Sequence, residues 1–382
     1  VSGIYIHIPF CRKACLYCDF HFSVNLEHKK KLVDTICTEI TNRRHYIETN
    51  AIQSVYFGGG TPSLLSLAEL EQILTVVRAT YKVAIEAEIT FELNPEDAEL
   101  NYLKAIKQLG VNRLSIGLQS FDDGELKWMN RAHTSRQNFD CIKLAQQAGL
   151  ENISIDLIYG SKFQTPDNWH KTLQTAFGLN VQHISSYNLT VESRTRLNHL
   201  IKEKKEKEVD SEISSRLFDI LMEETEKNGF TQYEISNFCK PGYMALHNSN
   251  YWKGSYYLGI GPSAHSYNGV SRRFNVRSNT QYIQAIENNK PFYEEEILTA
   301  NDKYNEYILT RLRTQWGCDV KEIETSFGRQ YFTYFMAQLE SHKQKKFIDI
   351  KQNAVTLNKQ GKHFADGIAS DLFYTKKDDP SL

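Results

Sequence analysis

Six short apolar segments punctuate the first half of the chain: Gly3–Ile8, Gln53–Phe57, Glu88–Leu93, Arg113–Gly117, Asn152–Leu157 and His183–Tyr187. They are rich in Ile, Val, Leu and Tyr and are bounded by turn-forming or polar residues, the pattern of strands. Their ends recur about every 36 residues, room for one strand, one helix and two turns. The intervening segments have a helical rhythm. Lys29–Ile47 carries apolar residues at 32, 33, 36, 37 and 40, a 3.6-residue period. Ser66 and Glu69 form a capping box that opens the next helix. Leu100–Leu109, Arg136–Ala148 and Asn168–Leu179 complete the series. Repeated βα units predict an α/β fold with a parallel sheet and right-handed crossovers. Periodicity leaves open whether the sheet closes into a barrel.

The pattern changes after residue 190. Ile201–Asp210, IKEKKEKEVD, reads as a solvated helix start or loop, and Ser211–Lys227 as an amphipathic helix. Residues 231–290 are rich in Tyr, Gly, Asn and His, with no repeating unit. No proline occurs between Pro291 and Pro380, which predicts a mostly helical C-terminal segment, with a short hairpin at Phe347–Leu357. The tail KKDDPSL is expected to fray. Three regions follow: a βα domain over 1–230, an aromatic extension over 231–290 and a smaller, mostly helical domain over 291–382.

Composition narrows the function. Lys and Arg number 45 against 46 Asp and Glu, a net charge of −1. The basic footprint of a nucleic-acid binder is absent, and no nucleic-acid partner is expected. No run of about 18 apolar residues marks a membrane helix. The N-terminus shows neither a basic n-region nor an apolar h-region, so a cytoplasmic protein is expected. Seven cysteines, an odd number, argue against a disulfide framework.

Three of those cysteines, Cys11, Cys15 and Cys18, follow the first strand at once. Thiolates this close in sequence can share a metal centre. A structural zinc site wants four ligands, and no fourth Cys is near; His7 or His21 could supply a nitrogen. Three cysteines on a 4Fe–4S cluster would leave one iron open to a ligand. Iron–sulfur, zinc and inert thiols are the alternatives at this point.

Cys-x3-Cys-x2-Cys with Tyr17 before the last Cys resembles the radical S-adenosylmethionine (SAM) superfamily. The resemblance implies a partial (β/α)6 barrel and a 4Fe–4S cluster on Cys11, Cys15 and Cys18. It implies SAM chelated to the open iron, and cleavage of SAM to a 5′-deoxyadenosyl radical by one electron from the cluster. Gly58-Gly59-Gly60-Thr61-Pro62 after the second strand resembles the superfamily's glycine-rich motif. Glycines let a backbone approach a ligand closely. Glu92, Gln119 and Asp156 lie at or just past the C-terminal ends of later strands, with Arg131 beyond, where a barrel gathers its site. Buried carboxylates need donors, which ribose hydroxyls supply, and Arg131 could pair with a carboxylate.

YIHIPFC, YFGGGTP, RLSIGLQSF and DLIYG, in this order, are similar to the HemN-like family of oxygen-independent coproporphyrinogen III oxidases. On these motifs Tyr5, Tyr17, Gly59, Gly60, Thr61, Glu92, Gln119, Arg131 and Asp156 align with SAM-contacting positions. The true oxidase continues its motif as Cys-x-Cys, where this chain has Phe20, and carries an extension before the first strand, where this chain begins four residues before Tyr5. Both departures fit the HemW-type haem chaperones. His247-Asn-Ser-Asn-Tyr251-Trp252 resembles their haem-binding signature. That resemblance implies haem contact at His247, Tyr251 and Trp252, and haem transfer to a respiratory acceptor at the membrane. Imidazole is a good iron ligand, and Tyr and Trp offer flat amphipathic surface; a buried structural histidine is the plainer reading. Two other functions stay open: coproporphyrinogen oxidase or another radical SAM reaction on a tetrapyrrole, and an unrelated zinc protein. After DLIYG the family continues Leu-Pro; Ser161-Lys162 here predicts a loop of different shape.

Overall fold

A computed structural model describes residues 2–47 and 51–375; the C-terminal tail expected to fray lies outside them. All six expected strands form: β1 (Ser2–Ile8), β2 (Ile52–Gly59), β3 (Val83–Leu93), β4 (Arg113–Gln119), β5 (Ile153–Tyr159) and β6 (His183–Asn188). They pair in chain order, each parallel to the next. Helices α1 (Lys29–Asn42), α2 (Leu67–Thr80), α3 (Leu100–Gln108), α4 (Asp123–Trp128), α5 (Ser135–Gln147) and α6 (Pro166–Gly178) connect them. The capping box at α2 is reciprocal: Glu69 N–H donates to Ser66 Oγ and Ser66 N–H to Glu69 Oε2. Helix α1 stops five residues before the expected Ile47. Arg43 is its C-cap, with N–H on the Glu39 carbonyl and the buried guanidinium donating to Glu39, to the Gly259 carbonyl and to Ser266.

Alternation along the strands sorts two faces. Ile4, Ile6, Ile8, Val55, Phe57, Leu114, Ile116, Ile153 and Ile155 are fully or almost fully buried. They form one apolar core with Leu32, Ile36, Leu70, Ile73, Leu103 and Ile142 of the helices. The opposite face carries Tyr5, His7, Tyr56, Glu92, Arg113 and Asp156, all lining one cavity. Branched apolar side chains fill the interior of a closed eight-stranded barrel. A polar lining marks this interior as a ligand cavity instead.

The stretch read as lacking a repeating unit extends this same sheet at both edges. After α7 (Arg196–Lys202) and α8 (Ser211–Lys227), strands β7 (Thr231–Glu234) and β8 (Asn237–Cys239) add antiparallel beside β6. Helix α9 (Leu246–Trp252) follows, and then β9 (Tyr256–Ile260) returns to pair parallel with β1. Strands β10 (His265–Tyr267), β11 (Ser271–Asn275) and β12 (Tyr293–Ile297), with α10 (Asn279–Glu287) between the last two, finish that side. The new strands are five residues or shorter, too short for a period to register. The twelve-stranded sheet ends in β12 and β7, so the barrel is partial.

Beyond residue 299 a second apolar core forms around Tyr304, Phe335, Val355 and Ile368. It joins α11 (Ala300–Leu312), α12 (Val320–Phe327), α13 (Arg329–Gln344), α14 (Lys359–Lys362) and α15 (Ala365–Asp371) to a small sheet of β13 (Cys318–Asp319), β14 (Ile348–Lys351) and β15 (Ala354–Leu357). The expected hairpin is β14–β15. Among the described residues no helix is long and apolar enough to cross a membrane.

Candidate functional site

A cavity of about 1610 Å³ runs through the barrel. Its mouth lies at the C-terminal ends of β1–β6 and its floor at their N-terminal ends. Cys11, Cys15 and Cys18 sit half-buried on the loop after β1 and face the mouth. Leu16 pins that loop. It is buried with Met129, Ile158, Leu189 and Leu197 in a small apolar cluster, worth about 2 kcal/mol by area. Its N–H donates to the Met129 carbonyl at 3.0 Å and its carbonyl accepts from Leu197 N–H at 2.9 Å. Asn130 Nδ2 adds a bond to the Ala14 carbonyl at 2.7 Å.

Two donors point at the sulfurs: Thr61 Oγ1 to Cys11 at 3.5 Å and Arg131 Nη1 to Cys15 at 3.4 Å. Burial pushes the Cys11 thiol up to about 12 and the Cys18 thiol to about 11. Thiolates here need positive charge at the sulfurs, which a metal centre supplies. Both ring nitrogens of His7 are engaged, by the Tyr5 hydroxyl and the His21 carbonyl, and His21 Nε2 bonds Asn279. Phe20 is 70% exposed. Among the described residues no three His, Cys, Asp or Glu side chains converge as ligands of one ion. A closed four-ligand zinc site is thus not assembled among the described residues.

The glycine loop is tight for a reason internal to the protein. A Cβ on Gly60 would lie 2.7–2.8 Å from backbone atoms of Ile8 and Phe10, and one on Gly59 (φ +105°) 2.4 Å from the His7 ring. Glycine here lets β2 close against the end of β1 and brings Thr61 over Cys11. Asn94 Nδ2 donates to Thr61 Oγ1 at 3.0 Å, and its Oδ1 accepts from Arg131 Nη2 at 2.6 Å. Arg131 also holds the Gly117 carbonyl at 3.0 Å, while its buried Nε has no hydrogen-bond partner among the described residues. Tyr17 rings the same guanidinium, its phenol held above the usual range chiefly by burial. Gln119 lines the mouth with φ +64°, a left-handed conformation for a non-glycine residue at the irregular end of β4.

Midway down, Glu92 accepts from the Tyr56 hydroxyl at 2.8 Å. Burial raises its carboxyl to about 7 and that of Asp156 to about 6. Tyr5 stacks on Tyr56 at 6.0 Å. At the floor, α9 crosses the starts of β1–β3. Glu88 accepts from the backbone N–H of Leu246 and His247 at 2.8 and 2.9 Å. His247 Nδ1 lies 2.9 Å from Ser54 Oγ, and its ring packs 5.2 Å from Tyr56. Burial lowers its pKa to about 4, so the imidazole is neutral. Tyr251 lines the cavity, 44% exposed. Trp252 is outside that lining and packs edge-on to Tyr251, with Arg313 over its ring.

The radical SAM superfamily model matches residues 5–176. The heme chaperone HemW of Bacillus subtilis is 33% identical over 95% of this chain and 96% of its own length. That of Escherichia coli K12 is 33% identical over 81% and 82%. The chain belongs to the HemW family of radical SAM proteins. Coproporphyrinogen III oxidase HemN of Escherichia coli shares the fold, with a TM-score of 0.84 at 23% identity over 97% of this chain and 90% of that one.

Radical SAM membership implies a 4Fe–4S cluster and SAM. The mouth of this HemW-family chain fits both. Three free thiols on a pinned loop could hold three irons and leave the fourth open. Bound there, the cluster supplies an electron and an open coordination position to SAM. The Arg131 Nε and the buried carboxyls of Glu92 and Asp156 could meet the polar groups of that ligand. Every expected mouth residue lines the cavity: Tyr5, Tyr17, Gly59, Gly60, Thr61, Glu92, Gln119, Arg131 and Asp156. The reading from sequence missed Ser54, Tyr56, Asn94 and Arg113; two-residue spacing from Glu92 and from Gln119 along the inward face could have found Asn94 and Arg113. It also missed the role of Ser161, whose hydroxyl donates to buried Glu125 beside Ser120 and Gln164, which shapes the loop after β5.

Proposed function

We propose that this chain binds haem and passes it to respiratory haem proteins at the membrane by transient contact, working from the cytoplasm. His247 carries the reading. It is a neutral imidazole in the cavity wall with Nδ1 engaged by Ser54, which leaves Nε2 for a metal. The cavity, about 1610 Å³, exceeds the roughly 300–1000 Å³ of ordinary small-molecule sites, so a macrocycle has room beside SAM. Tyr251 adds flat surface on the same wall, with Trp252 behind it. The relatives' name, heme chaperone, supports the same cargo. At the mouth, Cys11, Cys15 and Cys18 are the ligands of the cluster. Thr61, Glu92, Gln119, Arg131 and Asp156 are the polar contacts of SAM, and Tyr5, Tyr17, Gly59 and Gly60 shape its seat. SAM turnover is not required for this function.

The shared fold with the HemN oxidase favours a second reading, coproporphyrinogen oxidation; Phe20, at the position where the oxidase motif has its further Cys, stands against it. Anaerobic haem titration of the reconstituted protein separates the two. Saturable binding that weakens at least tenfold in His247→Ala, about 1.4 kcal/mol, is the expected result. Equal or absent binding in both proteins overturns the haem reading, and SAM cleavage with coproporphyrinogen III then tests the oxidase.

A further inference from the structure

One buried charged group in the cavity wall has no assigned task. Arg113 opens β4, six residues and roughly 20 Å of strand from Gln119 at the mouth. It is 2% exposed and lines the cavity. Its Nε has no hydrogen-bond partner among the described residues. Among the described residues, one carboxylate stands within ion-pair reach, Glu88, with Oε2 at 3.9 Å from Nε. That carboxylate is already spent on the backbone of α9, accepting from Leu246 and His247 N–H. Across the ladder from Arg113, the Thr90 hydroxyl is buried and also lacks a partner.

A buried guanidinium without a hydrogen-bonded anion costs several kcal/mol, and a fold keeps such a group where an anion arrives to meet it. The fork of donors suits a carboxylate, which it can grip in two parallel bonds. The other ring at this depth, His247, brings no charge to compete for that anion, since burial and Arg113 itself keep its imidazole neutral. We propose that Arg113 forms, at the floor of the cavity, a subsite for a carboxylate group of the bound ligand. The inference rests on the haem reading and deepens it. Haem carries two propionates on one edge, and Arg113 selects the free acid by taking one of them while His247 stands on the same floor.

Haem and haem dimethyl ester, titrated anaerobically into the reconstituted full chain, test it directly. Wild type is expected to bind the free acid at least tenfold more tightly than the ester. Arg113→Met is expected to bind both as wild type binds the ester, and Arg113→Lys to recover part of the preference. Equal affinity of wild type for acid and ester, or a preference that survives in Arg113→Met, overturns the subsite and leaves the haem reading standing. Failure of wild type to bind either compound overturns both. A denaturation midpoint provides the control for folding. Glu88, 3.9 Å from Arg113, keeps its two backbone donors from α9 when Arg113 is replaced, so the ligand-free Arg113→Met protein is expected to stay folded with a midpoint close to that of wild type. A clear loss of stability assigns Arg113 to the fold instead.

Discussion

At the mouth of the barrel, Gly60 sits within van der Waals contact of the Ile8 and Phe10 backbone, and Arg131, Asn94, Thr61 and Cys11 form one hydrogen-bonded chain. At the floor, the atoms nearest a Cβ on Gly3 belong to the side chains of Ser54 and His247, and the Arg113 Nε has no hydrogen-bond partner among the described residues. The mouth is closed by main chain and by mutual bonds, with the Arg131 Nε as its spare donor. The floor is closed by one short helix and leaves polar capacity unused. Preorganised donors suit a ligand that is always the same and always in the same place. Spare donors and side-chain walls suit a guest that enters and leaves. The contrast matches a resident cofactor at one end and a cargo at the other.

A single methyl group placed at each end gives the largest contrast. In Gly60→Ala the new Cβ meets three backbone atoms at 2.7–2.8 Å, and main chain must move. The expected cost is about 3 kcal/mol, the upper end of overpacking penalties, read as a lowered midpoint in urea. In Gly3→Ala the Cβ meets Ser54 Oγ at 2.7 Å and His247 Nδ1 at 3.0 Å, which can rotate. The expected cost is about 1 kcal/mol. Equal costs at the two positions would remove the claim that the mouth is the rigid end.

The same contrast explains what could be read from sequence. Mouth residues sit in short motifs at strand C-terminal ends, so Cys11, Cys15, Cys18, Gly59, Thr61, Glu92 and Asp156 were legible from their spacing and from the resemblance of their motifs. The six parallel strands were legible because each is followed by a helix of the right period. Ser54 was not, because it stands alone near its strand start, and only the register of β1–β4 and the return of α9 bring it beside His247 and onto the same floor as Arg113. Strands β9–β12 escaped notice because they are short and glycine-broken, and β9 joins the sheet across more than two hundred residues of chain. The Tyr251 and Trp252 pair shows the limit of a motif: it names neighbours in sequence, while the fold places one on the cavity and the other behind it.

Acid probes the floor at the next level. The His247 pKa falls from its usual 6.5 to about 4 on folding. A histidine held neutral this way stabilises the fold fully above pH 6.5, and that contribution is lost as pH falls from 6.5 to 4, because the unfolded chain binds the proton first. Roughly 2 kcal/mol of stability is at stake, after allowance for water in the cavity. Urea denaturation at pH 7 and pH 4.5 is expected to show a smaller acid loss in His247→Gln than in wild type. An unchanged difference would mean that the ring charges without penalty, and the floor would no longer be a dry, neutral site.

Glu92 marks the boundary between the two ends, and its sign is opposite. Burial lifts its carboxyl from 4.5 to about 7, so the folded state binds the proton more tightly than the unfolded chain, and stability falls as pH rises from 4.5 to 7. The Tyr56 hydroxyl limits this loss by donating at 2.8 Å. A hydrogen bond to a charged acceptor contributes about 2 kcal/mol and one to a neutral acceptor about 1 kcal/mol. Tyr56→Phe is therefore expected to cost about 1 kcal/mol at pH 5, where Glu92 is protonated, and about 2 kcal/mol at pH 8, where it is ionised. Denaturation midpoints at the two pH values measure the difference. A cost independent of pH would show that Glu92 stays in one protonation state throughout. The pair would then belong with the fixed bonds of the mouth, and the boundary between the two ends would lie deeper, at His247.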